Sequence, residues 1–158
     1  MKNTLSILTL AAALLFGGCA SLQLQPADFS WAAEEIADIG NDGMVSVQRY
    51  ATAFNVQPLI QKEFGEKADQ SQKPKSLRVI RDKAGYYYIV GKNFKNVYVF
   101  ETGEGSLKQE SAVSISQTEM PDPKFNFNTQ TNTYELWNGT AKYTLSKGSA
   151  TPVQGGVK

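Results

Sequence analysis

The chain has 158 residues, a formal net charge of +1, a single cysteine and no histidine. One cysteine excludes an intrachain disulfide and a thiolate metal cluster, and the missing histidine removes the Ser/His/Asp arrangement and the commonest metal ligand. The balanced charge argues against a basic field for nucleic acid or anionic lipid.

The chain opens with Met1-Lys2-Asn3, continues from Leu5 to Phe16 in apolar and small residues, and then reads Gly17-Gly18-Cys19. A positive start, an apolar stretch and a small-residue cleavage site make residues 1–18 a secretory signal peptide. The stretch is shorter than the roughly 20 residues that a resident membrane helix needs. Leu14-Leu15-Phe16-Gly17-Gly18-Cys19 resembles the bacterial lipobox. That resemblance implies a Cys19 diacylated on sulfur, cleavage just before it, and anchoring by several acyl chains at about 0.8 kcal/mol per buried methylene. Ala20-Ser21 after the cysteine resemble the outer-membrane default of such lipoproteins, whose inner-membrane members carry an aspartate there. The expected location is therefore the cell envelope, lipid-anchored, at the outer membrane where the host has two. With Cys19 acylated no free thiol remains, and about 140 residues suffice for one domain with a real core. Loss of Lys2 leaves 15 basic against 15 acidic residues.

Residues 19–29 read as a lipidated tether, and ten extended residues reach at most about 33–36 Å. A β domain is expected over 30–147. Residues 148–158, rich in Gly, Ser, Thr and Pro, read as a disordered tail.

Within the domain, Trp31 to Ile39 suits either helix or strand, with the alternation of Phe29, Trp31, Ala33, Ala37 and Ile39 favouring strand. Met44 to Val56 reads as one long strand whose apolar face switches, which a bulge near Gln48 and Arg49 would explain. Pro58 to Ala68 suits a short helix with Pro58 at its start and Ile60, Phe64 and Ala68 on one face. Leu77 to Arg81, Tyr86 to Val90 and Val97 to Phe100 read as strands. The latter two are continuous apolar runs, the pattern of central strands covered on both faces. Leu107, Gln109, Ser111, Val113 and Ile115 alternate with polar or small residues, the period of a half-buried strand. Phe125 and Phe127 alternate with Asn126 and Asn128, and Thr129 to Asn132 form the next turn. Asn138-Gly139 then joins Thr133–Trp137 to Thr140–Leu145, and a type I′ turn is the expected hairpin connection. The sum is an all-β fold: a single antiparallel sandwich or barrel of about eight strands with one short helix.

Few constellations carry chemistry. Asp38-Ile39-Gly40-Asn41-Asp42-Gly43 is similar to the start of an EF-hand loop, but Gly40 occupies a ligand position and Arg49 stands where the bidentate glutamate belongs. Gly85 to Val90 followed by Asn96 to Gly103 looks like a β-propeller blade that the chain is too short to repeat. The carboxylate pairs Glu34/Glu35 and Glu101/Glu104 lie in polar stretches with no activating partner. Tyr143-Thr144-Leu145-Ser146-Lys147-Gly148 looks like the Tyr and Thr-Lys-Gly motif of membrane-bound lysozyme inhibitors. By that resemblance Ser146 and Lys147 would be contact residues.

Of the many aromatics, Tyr87 and Trp137 are the candidates for a surface role, because their neighbours on either side fall on the opposite face. The expectation is a non-catalytic lipoprotein with no cofactor or metal. Its β domain binds or scaffolds another envelope protein, or alternatively binds a glycan or small ligand through the aromatic and amide residues of the C-terminal strands.

Overall fold

The computed structural model describes residues 32–66, 69–103 and 106–153. The expected signal peptide 1–18, Cys19, the expected tether 19–29 and the last five residues lie outside them. Among the described residues, eleven strands and one α-helix follow in chain order: β1 (Glu35–Asp38), β2 (Met44–Val47), β3 (Thr52–Asn55), α1 (Gln57–Phe64), β4 (Ser76–Arg81), β5 (Tyr87–Gly91), β6 (Asn96–Gly103), β7 (Ser106–Ser114), β8 (Pro123–Asn128), β9 (Thr133–Asn138), β10 (Ala141–Ser146) and β11 (Ser149–Pro152). The all-β expectation holds, and every named strand pairing is antiparallel. The strands form three sheets, ordered β1-β4-β5-β6-β7, β11-β10-β9-β8 and β2-β3, none of them closed, so the barrel alternative falls.

The five-stranded sheet is the middle layer. Tyr87, Ile89 and their register partners Val79, Arg81 and Tyr98 share one face. There Tyr50 meets Tyr87 edge-on at 5.6 Å, Phe94 meets Tyr98 at 6.0 Å, and Lys62 of α1 lies 5.3 Å from the Tyr98 ring centre. On the opposite face Tyr88 stacks on Tyr134 of β9 at 6.2 Å, joining the two larger sheets. With a layer on each side, β5 is buried at all five positions.

Four sequence expectations change. Met44–Val56 is a hairpin rather than one bulged strand: a 3₁₀ turn at Gln48–Tyr50 ends with Ala51 at φ 47°, and the chain folds back so that Val47 pairs with Thr52. The Glu35 carboxylate stabilises that turn by accepting the backbone N–H groups of Gln48 and Arg49 at 2.8 and 2.9 Å. The bulge lies instead in β7, where the register shift between Val99 and Phe100 leaves Glu110 unpaired. Leu107 and Gln109 consequently fall on the opposite face from Ser111 and Val113.

The expected I′ turn is shifted by one residue. Asn138 pairs with Ala141, so Gly139 and Thr140 form the loop, and only Gly139 has positive φ, at 60°. Glycine first with an ordinary second residue is the II′ requirement. Finally, the expected tail is ordered over Ser149–Pro152, where β11 pairs with β10 through Ser149↔Ser146 to Pro152↔Tyr143. The free edge of β10 supplies the ladder partners, and Ala150, half-buried opposite Leu145, is its apolar contact.

Candidate functional site

Tyr87 and Trp137 have different fates. Tyr87 does point away from Tyr86 and Tyr88, but that face is covered by the β2–β3 hairpin, and the residue is only 4% exposed. Its ring is held between Tyr50 and the Arg81 guanidinium, 5.4 Å from the ring centre. A surface role for Tyr87 is excluded.

Trp137 sits on the outer face of the β8–β11 sheet, which no other layer covers among the described residues. Counting from the β9–β10 turn, period-two alternation sends Tyr134 and Leu136 inward and Thr133, Glu135 and Trp137 outward. Register then sets Lys124 of β8 and Lys142 of β10 on either side of Trp137, and Asn126 and Thr144 on either side of Glu135.

Glu135 is buried although it lies on this uncovered face, with 6% of its surface exposed. Its carboxylate accepts three side-chain hydrogen bonds: from Asn128 Nδ2 at 2.9 Å, Asn126 Nδ2 at 3.2 Å and Trp137 Nε1 at 2.8 Å. Burial pushes the carboxyl pKa up. The three neutral donors, helped by the Lys142 charge, outweigh burial and hold it below its ordinary value. The bond to Glu135 fixes the indole, and Lys142 Nζ lies 4.1 Å from its ring centre. The result is an oriented, half-buried aromatic ring beside two amide side chains, with an exposed cation over it.

Sequence reasoning found Trp137 but not Glu135. The signal was present: Asn126, Asn128, Glu135 and Trp137 fall on one face once β8, β9 and their turn are aligned.

The other candidates serve structural ends. Lys147 donates to the Tyr86 hydroxyl at 3.0 Å and pairs with Glu110 Oε2 at 2.9 Å, while Ser111 Oγ donates to the Lys147 carbonyl. The Tyr86 contact and the Glu110 carboxylate raise the Lys147 pKa, and Lys147 lowers that of Glu110. The bulged residue of β7 thus ties the five-stranded sheet to the β10–β11 turn. Ser146 Oγ lies 2.8 Å from Ser149 Oγ across the same turn.

Glu34 and Glu35 diverge. Glu34 pairs with Arg78 at 2.6 Å and accepts the Phe125 N–H at 2.7 Å, whereas Glu35 caps the 3₁₀ turn. Glu101 pairs with Lys108 at 3.4 Å, and Glu104 lies outside the described residues. In the EF-hand-like stretch the Asp42 carboxylate accepts the Met44 N–H at 3.0 Å, an ordinary turn contact. Among the described residues no group of three or more acidic residues could hold a metal ion, and no helix is long and apolar enough to cross a membrane.

A cleft of about 620 Å³ lies between β1 and β2, where the exposed Ile36 and Met44 meet Asp38 and Asp42. It is closed at one end by the Ile39–Val45 bridge and spanned at the other by Glu35, so no extended segment can run through it as an added strand.

No family model matches the chain, and neither does any curated protein or any solved structure.

Proposed function

We propose that the protein is a lipid-anchored, non-catalytic cell-envelope protein whose β domain binds a saccharide on the outer face of the β8–β11 sheet. The observation that carries this reading is the Trp137 indole, fixed through its ring N–H by the buried Glu135 carboxylate beside Asn126 and Asn128. A preoriented ring offers an apolar face to the C–H side of a sugar, and neighbouring amides offer both donors and acceptors to its hydroxyls. Anchoring is supported by the signal-like start and Cys19. Docking of another envelope protein is the second reading, favoured by Ile36 and Met44, which are 56% and 41% exposed on one cleft. Saccharide binding is preferred because charged and amide residues surround Trp137, whereas the cores of protein interfaces are depleted in charge.

Two measurements on the full-length protein, purified in detergent from its host, test this reading. Cells fed an alkyne-bearing fatty acid should label the wild type and not Cys19→Ala; equal labelling of both rejects the anchor. Calorimetric titration with neutral and acidic oligosaccharides should show saturable binding that Trp137→Ala abolishes. Absence of binding across both sets rejects the saccharide reading.

A further inference from the structure

Resting on the saccharide reading above, we propose that the ligand is an acidic saccharide whose anionic group is taken by Lys142. The row Lys124–Trp137–Lys142 crosses three strands and places a lysine on each side of the indole. The two cations are not equivalent. Lys124 pairs with Asp122 at 2.9 Å, while Lys142 has no carboxylate within ion-pair distance among the described residues and rests on the indole instead. Glu135, the carboxylate in the adjacent row, is buried and already accepts three hydrogen bonds, from Asn126, Asn128 and Trp137.

This arrangement discriminates by charge. A neutral sugar that stacks on the indole face under Lys142 must displace the ammonium and gives it nothing in return beyond hydroxyl groups. A saccharide bearing a carboxylate or similar anion draws the ammonium off the ring into a charge-assisted hydrogen bond, and the uncovered ring face then takes the sugar. Lys142 is exposed, so it can move without disturbing the sheet.

The test uses the full-length protein in detergent carrying Trp31→Phe, which leaves Trp137 as its sole tryptophan and makes indole fluorescence a reporter of this site. Oligogalacturonate, oligomannuronate and hyaluronan tetrasaccharides are each titrated against their own methyl esters, which remove the charge and add only a methyl group per carboxyl, and neutral oligosaccharides are titrated alongside. At least one acid should bind about tenfold more tightly than its ester, with a preference that shrinks as salt rises. Lys142→Gln should bring that acid down to the affinity of the ester. Equal affinity of acid and ester, or a preference that survives Lys142→Gln, overturns the inference. Binding of neutral oligosaccharides without any of the acids also overturns it while leaving the saccharide reading standing, and binding of no saccharide at all removes both.

Discussion

Strands β5 and β9 both lie between two hydrogen-bonded neighbours, yet Tyr87–Gly91 is buried throughout whereas only Glu135 and Leu136 are buried in Thr133–Asn138. Neighbours in a sheet protect the backbone; layers above and below protect the side chains. With a layer on each face, β5 carries an unbroken apolar run. With a single layer, β9 alternates, and the one outward side chain it buries is a carboxylate enclosed by Trp137 of its own strand and by Asn126 and Asn128 of β8. Burial on a bare sheet face must be assembled from side chains, and here that assembly is polar, oriented and spread over three adjacent rows of the sheet.

The largest expected effect breaks this comparison directly. Tyr88 and Ile89 point to opposite faces, and alanine at either should cost about 2–5 kcal/mol in urea denaturation. On β9, Leu136→Ala should cost as much, while the outward Thr133→Ala should stay within about 0.5 kcal/mol. A β5 that tolerates either substitution has no second cover.

Next comes Glu135→Ala, which leaves three buried or half-buried donors without their acceptor and should cost about 1–3 kcal/mol. Glu135→Gln sharpens the point through pH. The folded carboxyl titrates below its ordinary value of 4.5, so its ionised form stabilises the fold fully above that value. The contribution fades as the pH falls through the lower folded value. Urea midpoints of wild type and Glu135→Gln should therefore differ most near neutrality and converge below pH 4.5. A constant gap would mean that the carboxyl is not held low.

The smallest effect tests the layer that covers Tyr87. The Tyr50 hydroxyl donates to the Ala33 carbonyl at 2.8 Å and accepts the Arg81 N–H at 3.2 Å. Tyr50→Phe should cost about 0.5–1.5 kcal/mol. No change in the urea midpoint would place little of the cover's stability in this contact.

Most strands were legible because turn chemistry and apolar alternation agree over β4 to β10. The failures have separate physical causes. No Gly, Pro or Asn marks the fold-back at Gln48–Tyr50, because its cap is the Glu35 carboxylate from another strand, which local sequence cannot show. Ser149–Pro152 has little to bury and becomes a strand only because β10 has a free edge. The Glu110 bulge leaves the alternation of β7 looking continuous in sequence and is visible only against the register of β6. At the candidate site, the run that marks β5 as covered on both faces was already incompatible with an exposed Tyr87. Trp137 was found, while its carboxylate needed the alignment of two strands.

The first two carboxylates of the domain also set how it resists tension. Glu34 grips Arg78 of the five-stranded sheet and the Phe125 amide of the four-stranded sheet, and Glu35 grips the turn of the small hairpin. A load applied through the N-terminal side, where an anchored protein would be pulled, is therefore distributed over all three layers at once. The edge strand β1 cannot be unzipped from β4 one hydrogen bond at a time until both clamps have let go.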